Sequence, residues 1–318
     1  MIKKIIILTI YFTLFAVVVT SCSFESSDLF ENGILSAVSN MFSKTPSAPR
    51  DTVLSHLSLE DFLSETGLEF DDYITLMADY ERKGIYLHSL EKNASRYLEF
   101  QEKHPELPFS TVIAYVNANV DVGFYENIQT APNLDSLYIL VNKNNQVSHD
   151  FVPSNLVDIG EETFMHREAA RQFFKMKDTL RDMGYNINFS SAYRSYYRQE
   201  DGYNRTVDDA GQAAADQSVA RPGHSEHQTG LAIDLMDYHA ALPWLIDNAH
   251  KYGFILRYQP NGYEVFQGFK YEPWHWRYVG IDIATAMYNE RICSFEEFYG
   301  KYLASDVLHN VKRQILTT

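Results

Sequence analysis

With 318 residues the chain has room for one sizeable domain, alone or with a smaller appendage. Hydrophobic residues make up 45% and charged residues 22%, an ordinary globular balance, and the formal net charge of -15 excludes a basic nucleic-acid-binding surface and a polybasic grip on anionic lipid. Only Cys22 and Cys293 are present, which excludes a disulfide framework, so any metal must be held mainly by His, Asp and Glu.

The N-terminus reads as a targeting segment. Lys3 and Lys4 precede an almost wholly apolar run, Ile5 to Val19, which has the length of a signal core and is short for a spanning helix. Val19-Thr20-Ser21-Cys22 follows and resembles the bacterial lipobox, with Cys22 as the lipidated residue; an uncleaved anchor helix is the competing reading. Both place the rest of the chain outside the cytoplasm, and the first makes it lipid-anchored to the bacterial cell membrane. With Cys22 lipidated, Cys293 is expected to behave as a small buried hydrophobe.

Residues 23–50 are rich in Ser and small polar residues and read as a flexible tether. Residues 51–105 read as a helical N-terminal region, with Ser58 as an N-cap and apolar residues spaced at three and four around Phe70–Met77 and Ala94–Phe100. From Phe109 onward strands are expected. Thr111–Val116 and Leu137–Val141 are β-branched or aromatic and bounded by turn residues. A helix is expected after Arg167 and a stop at Gly184. A short strand follows over 185–190, then a helix over 243–252 with Pro243 in its first turn, and one or two helices over 281–304. Strands and helices without regular β-α-β alternation indicate an α+β fold, with residues 106–318 as its main domain.

Two clusters carry the chemistry. The first runs from Arg221 to Asp234 and contains His224, Glu226, His227 and Asp234; the second is Glu272-Pro273-Trp274-His275-Trp276-Arg277. Imidazole and carboxylate suit zinc, and three protein ligands plus an open position make a catalytic site. Leu231–Leu235 reads as a strand in which Asp234 shares a face with Ala232, opposite Leu231, Ile233 and Leu235. His227 falls on the segment entering that strand. Glu272 and His275 are three residues apart and would point to opposite faces of a regular strand, so a bend at Pro273 is needed to bring them together.

Ser225-x-His227-x-x-Gly230-x-Ala232-x-Asp234 followed by Glu272-x-Trp274-His275 resembles the signature of the VanY-type D-alanyl-D-alanine carboxypeptidases, grouped with L,D-carboxypeptidases and D-Ala-D-Ala dipeptidases. Ser191-Ala192-Tyr193-Arg194-Ser195 with Gln199 resembles a further motif of that family, and the likeness spans roughly residues 95–295. The resemblance implies a small antiparallel sheet with flanking helices, of the hedgehog/DD-peptidase kind, preceded by the helical appendage. It implies Zn2+ on His227, Asp234 and His275, with Glu272 as general base. Arg194 is placed at the scissile peptide, on either the oxyanion or the free carboxylate. Gln199, Ser225 and Trp274 are implied substrate contacts, and peptidoglycan stem peptides the substrate.

Several residues keep plainer expectations. Glu226 and Asp237 are read as solvated, His224 as a neighbour of the site without ligation, and the remaining histidines as surface or core residues. A non-catalytic, lipid-anchored wall-binding protein is the alternative function, and an endopeptidase acting on cross-links a third.

Overall fold

The computed structural model describes residues 56–317. The signal segment, Cys22, the tether and residues 51–55 lie outside the described residues. Four helices come first: α1 (Leu59–Thr66), α2 (Phe70–Arg82), α3 (Ala94–Lys103) and α4 (Phe109–Asn117). Ser58 caps α1 as expected, its hydroxyl accepting from the Asp61 N–H.

A hairpin follows, β1 (Leu156–Gly160) and β2 (Thr163–His166), leading into the amphipathic helix α5 (Arg167–Asp182). Gly184, at φ 88°, follows its end. After strand β3 (Asn188–Ser191) come α6 (Tyr196–Ala210), α7 (Gln212–Ser218), β4 (Ala232–Met236), α8 (Leu242–Asn248) and β5 (Phe254–Leu256). Strand β6 (His275–Tyr278) and helix α9 (Ile281–Glu290) follow, and two short helical turns, Phe295–Phe298 and Tyr299–Leu303, lead into the C-terminal helix α10 (Ser305–Thr317). The four strands form an antiparallel sheet in the order β3-β4-β6-β5. Helices with small antiparallel sheets make the α+β architecture that the sequence indicates.

One core lies against this sheet and a second is built between helices. Ile233, Leu235, Trp276, Tyr278, Phe254 and Leu256 point to one side, where they pack with Phe173, Met176 and Leu180 of α5. The second core is helical: Phe62, Tyr73 and Met77 of the N-terminal helices meet Ile283, Met287, Phe298, Tyr302 and Val311 of the C-terminal ones. The helices before the hairpin and those after β6 are thus packed together.

Two expected strands are not strands. Residues 111–116 belong to α4, with Val112, Ile113, Ala114, Tyr115 and Val116 all buried. Their β-branched character fits a pleated surface, but burial on every side of a helix outweighs that preference. Gly300 lets the C-terminal segment approach this helix closely: a Cβ there would lie 1.8 Å from the Ala114 carbonyl oxygen. Tyr138–Val141 is buried and Leu137 half-buried, but the segment joins no ladder. The carbonyls of Leu137 and Ile139 instead accept from the Arg277 guanidinium at 3.1 and 2.8 Å.

Candidate metal centre and active site

The site forms on the second face of β4 and β6. Asp234 stands directly opposite His275 in the antiparallel register, and Ala232 opposite Arg277, so all four side chains share that face. The small Ala232 leaves space beside Asp234. His227 arrives from a 3-10 turn, Glu226–Thr229, capped by the Ser225 hydroxyl and ended by Gly230. Gly230 has φ 68°, and a Cβ on it would sit 2.7 Å from Leu156 and 3.1 Å from the His166 nitrogen of the hairpin. Only glycine combines that left-handed backbone with so close an approach.

His227, Asp234 and His275 each offer one ligand atom, and these atoms lie within 4.8 Å of one another. His227 Nε2 is 3.1 Å from Asp234 Oδ2, and His275 Nδ1 is 2.9 Å from Asp234 Oδ1. The opposite ring nitrogens are tied to acceptors: His227 Nδ1 to the Ala192 carbonyl at 2.5 Å, and His275 Nε2 to Glu226 Oε2 at 3.4 Å. With the ring protons donated there, the two inward nitrogens are lone pairs facing a carboxylate. Acceptor faces acceptor, an arrangement that a cation or an extra proton must relieve. The donor set fits zinc, three N/O ligands with one side open.

The electrostatics register the same deficit. Burial pushes the Asp234 carboxyl up, but His227 and His275 overcome it and hold Asp234 far below the usual carboxylate range. Burial likewise disfavours the His275 cation, yet its hydrogen bonds to Asp234 and Glu226 raise it to about 9. Burial lowers His227. A proton on His275 takes the place of a cation in this cluster.

Glu226 is not solvated. It is 2% exposed, and its Oε1 accepts from Arg257 at 2.8 Å and Arg277 at 3.1 Å while Oε2 faces His275. Arg257 is paired in turn to Glu296 at 2.6 Å. Desolvation opposes the Glu226 anion, and the two arginines hold it ionised. This carboxylate orients His275 and is the functional residue that sequence reasoning missed. The signal was present in the alternation of Ile255-Leu256-Arg257 and Trp276-Arg277, which puts two arginines on the polar face of β5 and β6. Asp237, by contrast, is exposed as expected.

Glu272 lies across the cleft, brought there by the expected bend. Pro273 and Trp274 form a turn, and the His275 N–H donates to the Glu272 carbonyl at 3.0 Å. Burial raises Glu272 to about 7 against the pull of His275. Arg194 donates to Asp234 Oδ2 at 3.4 Å, to Ser191 at 3.2 Å and to Gln199 at 2.9 Å. The cavity between these groups measures about 200 Å³, and Arg194 is the only lysine or arginine lining it. Trp274 forms its rim at 40% exposure, and Tyr258 stacks on the His275 ring at a centroid distance of 5.0 Å.

Ser225 and Gln199 also line the cavity but are already engaged. The Ser225 hydroxyl accepts from the His227 N–H at 3.4 Å; Gln199 bridges Arg194 and the Ala220 carbonyl, the latter at 2.7 Å. These bonds fix their positions within the cavity lining. His224 is outside the ligand group, its Nδ1 bonded to the Asn142 carbonyl at 2.8 Å. Cys293 is half-buried rather than buried, and its thiol is free.

Known proteins share this arrangement's sequence. The family model described as VanY, D-alanyl-D-alanine carboxypeptidase, matches residues 162–281. The YodJ protein of Bacillus subtilis is 33% identical over 214 residues, covering 61% of this chain and 77% of the relative. The bifunctional D-Ala-D-Ala dipeptidase and carboxypeptidase VanXYC of Enterococcus gallinarum is 32% identical, covering 53% of this chain and 95% of its own. Among solved structures, the LdcB LD-carboxypeptidase superposes with a TM-score of 0.51 at 34% identity, covering 55% of this chain and 91% of its own. The chain belongs to the VanY family of D-alanyl-D-alanine carboxypeptidases.

Proposed function

We propose that this protein is a zinc-dependent carboxypeptidase that removes a terminal D-alanine from peptidoglycan stem peptides. The observation that carries this reading is the convergence of three electron-pair donors, His227 Nε2, His275 Nδ1 and the Asp234 carboxylate, beside the half-buried Glu272 in the same cavity. A zinc ion held by the three would supply Lewis acidity, lowering the pKa of water toward ~7 and polarising a peptide carbonyl.

The chain's own groups do the rest. Glu272, raised toward neutrality, accepts a proton from the attacking water and returns it to the leaving amine nitrogen. Arg194 is the single lysine or arginine lining the cavity, and its planar fork suits the free C-terminal carboxylate that defines a carboxypeptidase substrate. Gln199 and Ser191 fix that guanidinium, while Ala192 and Glu226 fix the two imidazoles. Trp274 walls the pocket against water. Lipid on Cys22 tethers the domain outside the cytoplasm, near the membrane where new wall peptides emerge.

The test is D-alanine release from a pentapeptide stem, which ends in two D-alanines, and from a tetrapeptide stem, which ends in one. Release from either one, abolished by chelation and restored by zinc, is expected. A zinc-loaded protein that leaves both intact while still binding wall would support the non-catalytic alternative. A Cys22→Ala variant should leave the membrane fraction, and its retention there would count against the anchor.

A further inference from the structure

Lys143 is the only buried lysine among the described residues, 4% exposed, and it makes no ion pair among them. Its Nζ donates to the Asp216 carbonyl at 2.5 Å. The same ammonium lies over three aromatic rings, 4.4 Å from the centroid of Phe269, 4.8 Å from that of Phe124 and 5.5 Å from that of Tyr125. The turn that carries it is fixed. The Asn144 and Asn145 N–H groups both donate to Asn142 Oδ1 at 3.0 Å, and the Asn144 side chain donates to the Gly123 and Glu126 carbonyls at 2.9 Å. Gly268, at φ 82°, admits the lysine stem: a Cβ there would stand 2.8 Å from Lys143 Cδ.

The groups that receive this ammonium belong to two separate segments of the catalytic cavity. Helix α7 runs into Ser218, Val219 and Ala220, which line the cavity, and Phe269 lines it as well. Of residues 212–218 only Ala215 is buried, so α7 has few other anchors. The Asp216 carboxylate is taken by Arg221 at 2.8 and 2.9 Å and by the Tyr203 hydroxyl at 2.8 Å, and the Arg221 guanidinium lies on the Tyr125 ring at 4.0 Å. The segment then presents the Ala220 carbonyl to Gln199, which in turn holds Arg194 at 2.9 Å. Phe269 packs on Tyr258 with ring centroids 4.9 Å apart, and Tyr258 packs on His275.

We propose that Lys143 is a positioning residue for substrate binding: it clamps residues 216–220 to Phe269 and, through Ala220 and Gln199, keeps the Arg194 guanidinium in place for the substrate's terminal carboxylate. The inference rests on the carboxypeptidase reading above. A contact made equally with bound substrate and transition state changes KM and leaves kcat, so Lys143 acts on the first and Glu272 on the second. Burial lowers Lys143 to about 8 against the pull of Asp216. Of the groups that face it, Asp216 is lowered by Arg221, Arg221 is raised by Asp216, and burial raises Tyr125 and Tyr203 and lowers His224, which packs on Tyr125. Lys143 is therefore the member of this cluster whose charge changes between about pH 7 and 9.5.

Steady-state D-alanine release by the zinc-loaded full chain, with an N-acetylated stem peptide as the probe, tests this. Lys143→Met keeps the stem and removes the ammonium. It should raise KM about fivefold or more with kcat within about twofold. The wild-type KM should rise between about pH 7 and 9.5, and the KM of the variant should be flat there. Hydrogen exchange of the Ser218 and Val219 amides should be faster in the variant, with protection in β4 and β6 unchanged. An unchanged KM, a fall in kcat alone, or a wild-type KM flat with pH would each overturn the proposal, and the last needs no variant should Lys143→Met not fold. A wild-type chain that releases no D-alanine sinks the carboxypeptidase reading, whereas unchanged exchange at Ser218 and Val219 sinks the clamp, so the two failures are told apart.

Discussion

On one face of β4 and β6, Ile233, Leu235, Trp276 and Tyr278 are at most 2% exposed and pack in an apolar core; on the other, one residue along each strand, stand Asp234, His275 and Arg277. The apolar face needs only matched volume. The polar face needs a partner for every group, and it draws them from distant parts of the chain: Glu226 from the turn, Arg257 from beyond β5, Glu296 from the C-terminal helices, carbonyls from the 137–139 segment. That network is complete except at its outer end, where the imidazole lone pairs face Asp234. The difference teaches that the buried charges support one deliberate deficit, which is where a cation belongs.

Four experiments break or sharpen this contrast. The largest effect is expected at Glu272, which lies outside the ligand set. Glu272→Gln should lower kcat by ~10²–10⁴-fold with bound zinc unchanged, measured by D-alanine release and elemental analysis. A loss of zinc instead would make Glu272 part of the metal site.

Trp276→Ala and Glu226→Gln probe the two faces directly. Removing the buried indole should cost about 3–5 kcal/mol in denaturant unfolding. Breaking the Glu226 ion pairs should cost a similar ~3–5 kcal/mol, because Arg277 is left buried without its carboxylate. Only the second should also weaken zinc binding, by ~10–100-fold in a competition titration. Equal loss of metal in both would dissolve the distinction between the faces.

The smallest effect is the pH dependence of the metal-free protein. His275 is raised to about 9 and Glu272 to about 7, so the folded state holds both protons more tightly than the unfolded chain does. Their stabilisation is present below the unfolded values, 6.5 and 4.5, and is lost as pH rises through the folded ones. Burial lowers His227, His88 and His224, whose contribution runs the other way and is complete above 6.5, so the thermal midpoint of chelator-treated protein should fall between pH 7 and 9. Zinc should flatten the His275 part of that slope; a slope unchanged by zinc would place its origin elsewhere.

Much of the site was legible because its residues are close in sequence. The spacing of His227 and Asp234, the alternation that turns Asp234 away from Ile233 and Leu235, and the need for a bend at Pro273 are local properties. Glu226 was not legible as a buried group, since its partners lie 31, 49 and 51 residues away. The same limit governs the fold. The helices over 59–103 and α5 follow from caps and apolar spacing, whereas α4 and the 137–141 segment were misread because propensity carries no information about the helices and the guanidinium that enclose them.

The central claim is that His227, Asp234 and His275 converge on a cation. Titration of zinc into chelator-treated protein, followed by calorimetry in buffers of different ionisation enthalpy, tests it most directly. One zinc per chain, bound with release of a proton near pH 7 and abolished by His275→Ala, is the predicted result. Saturable binding that survives His275→Ala, or full D-alanine release by protein without metal, would contradict it.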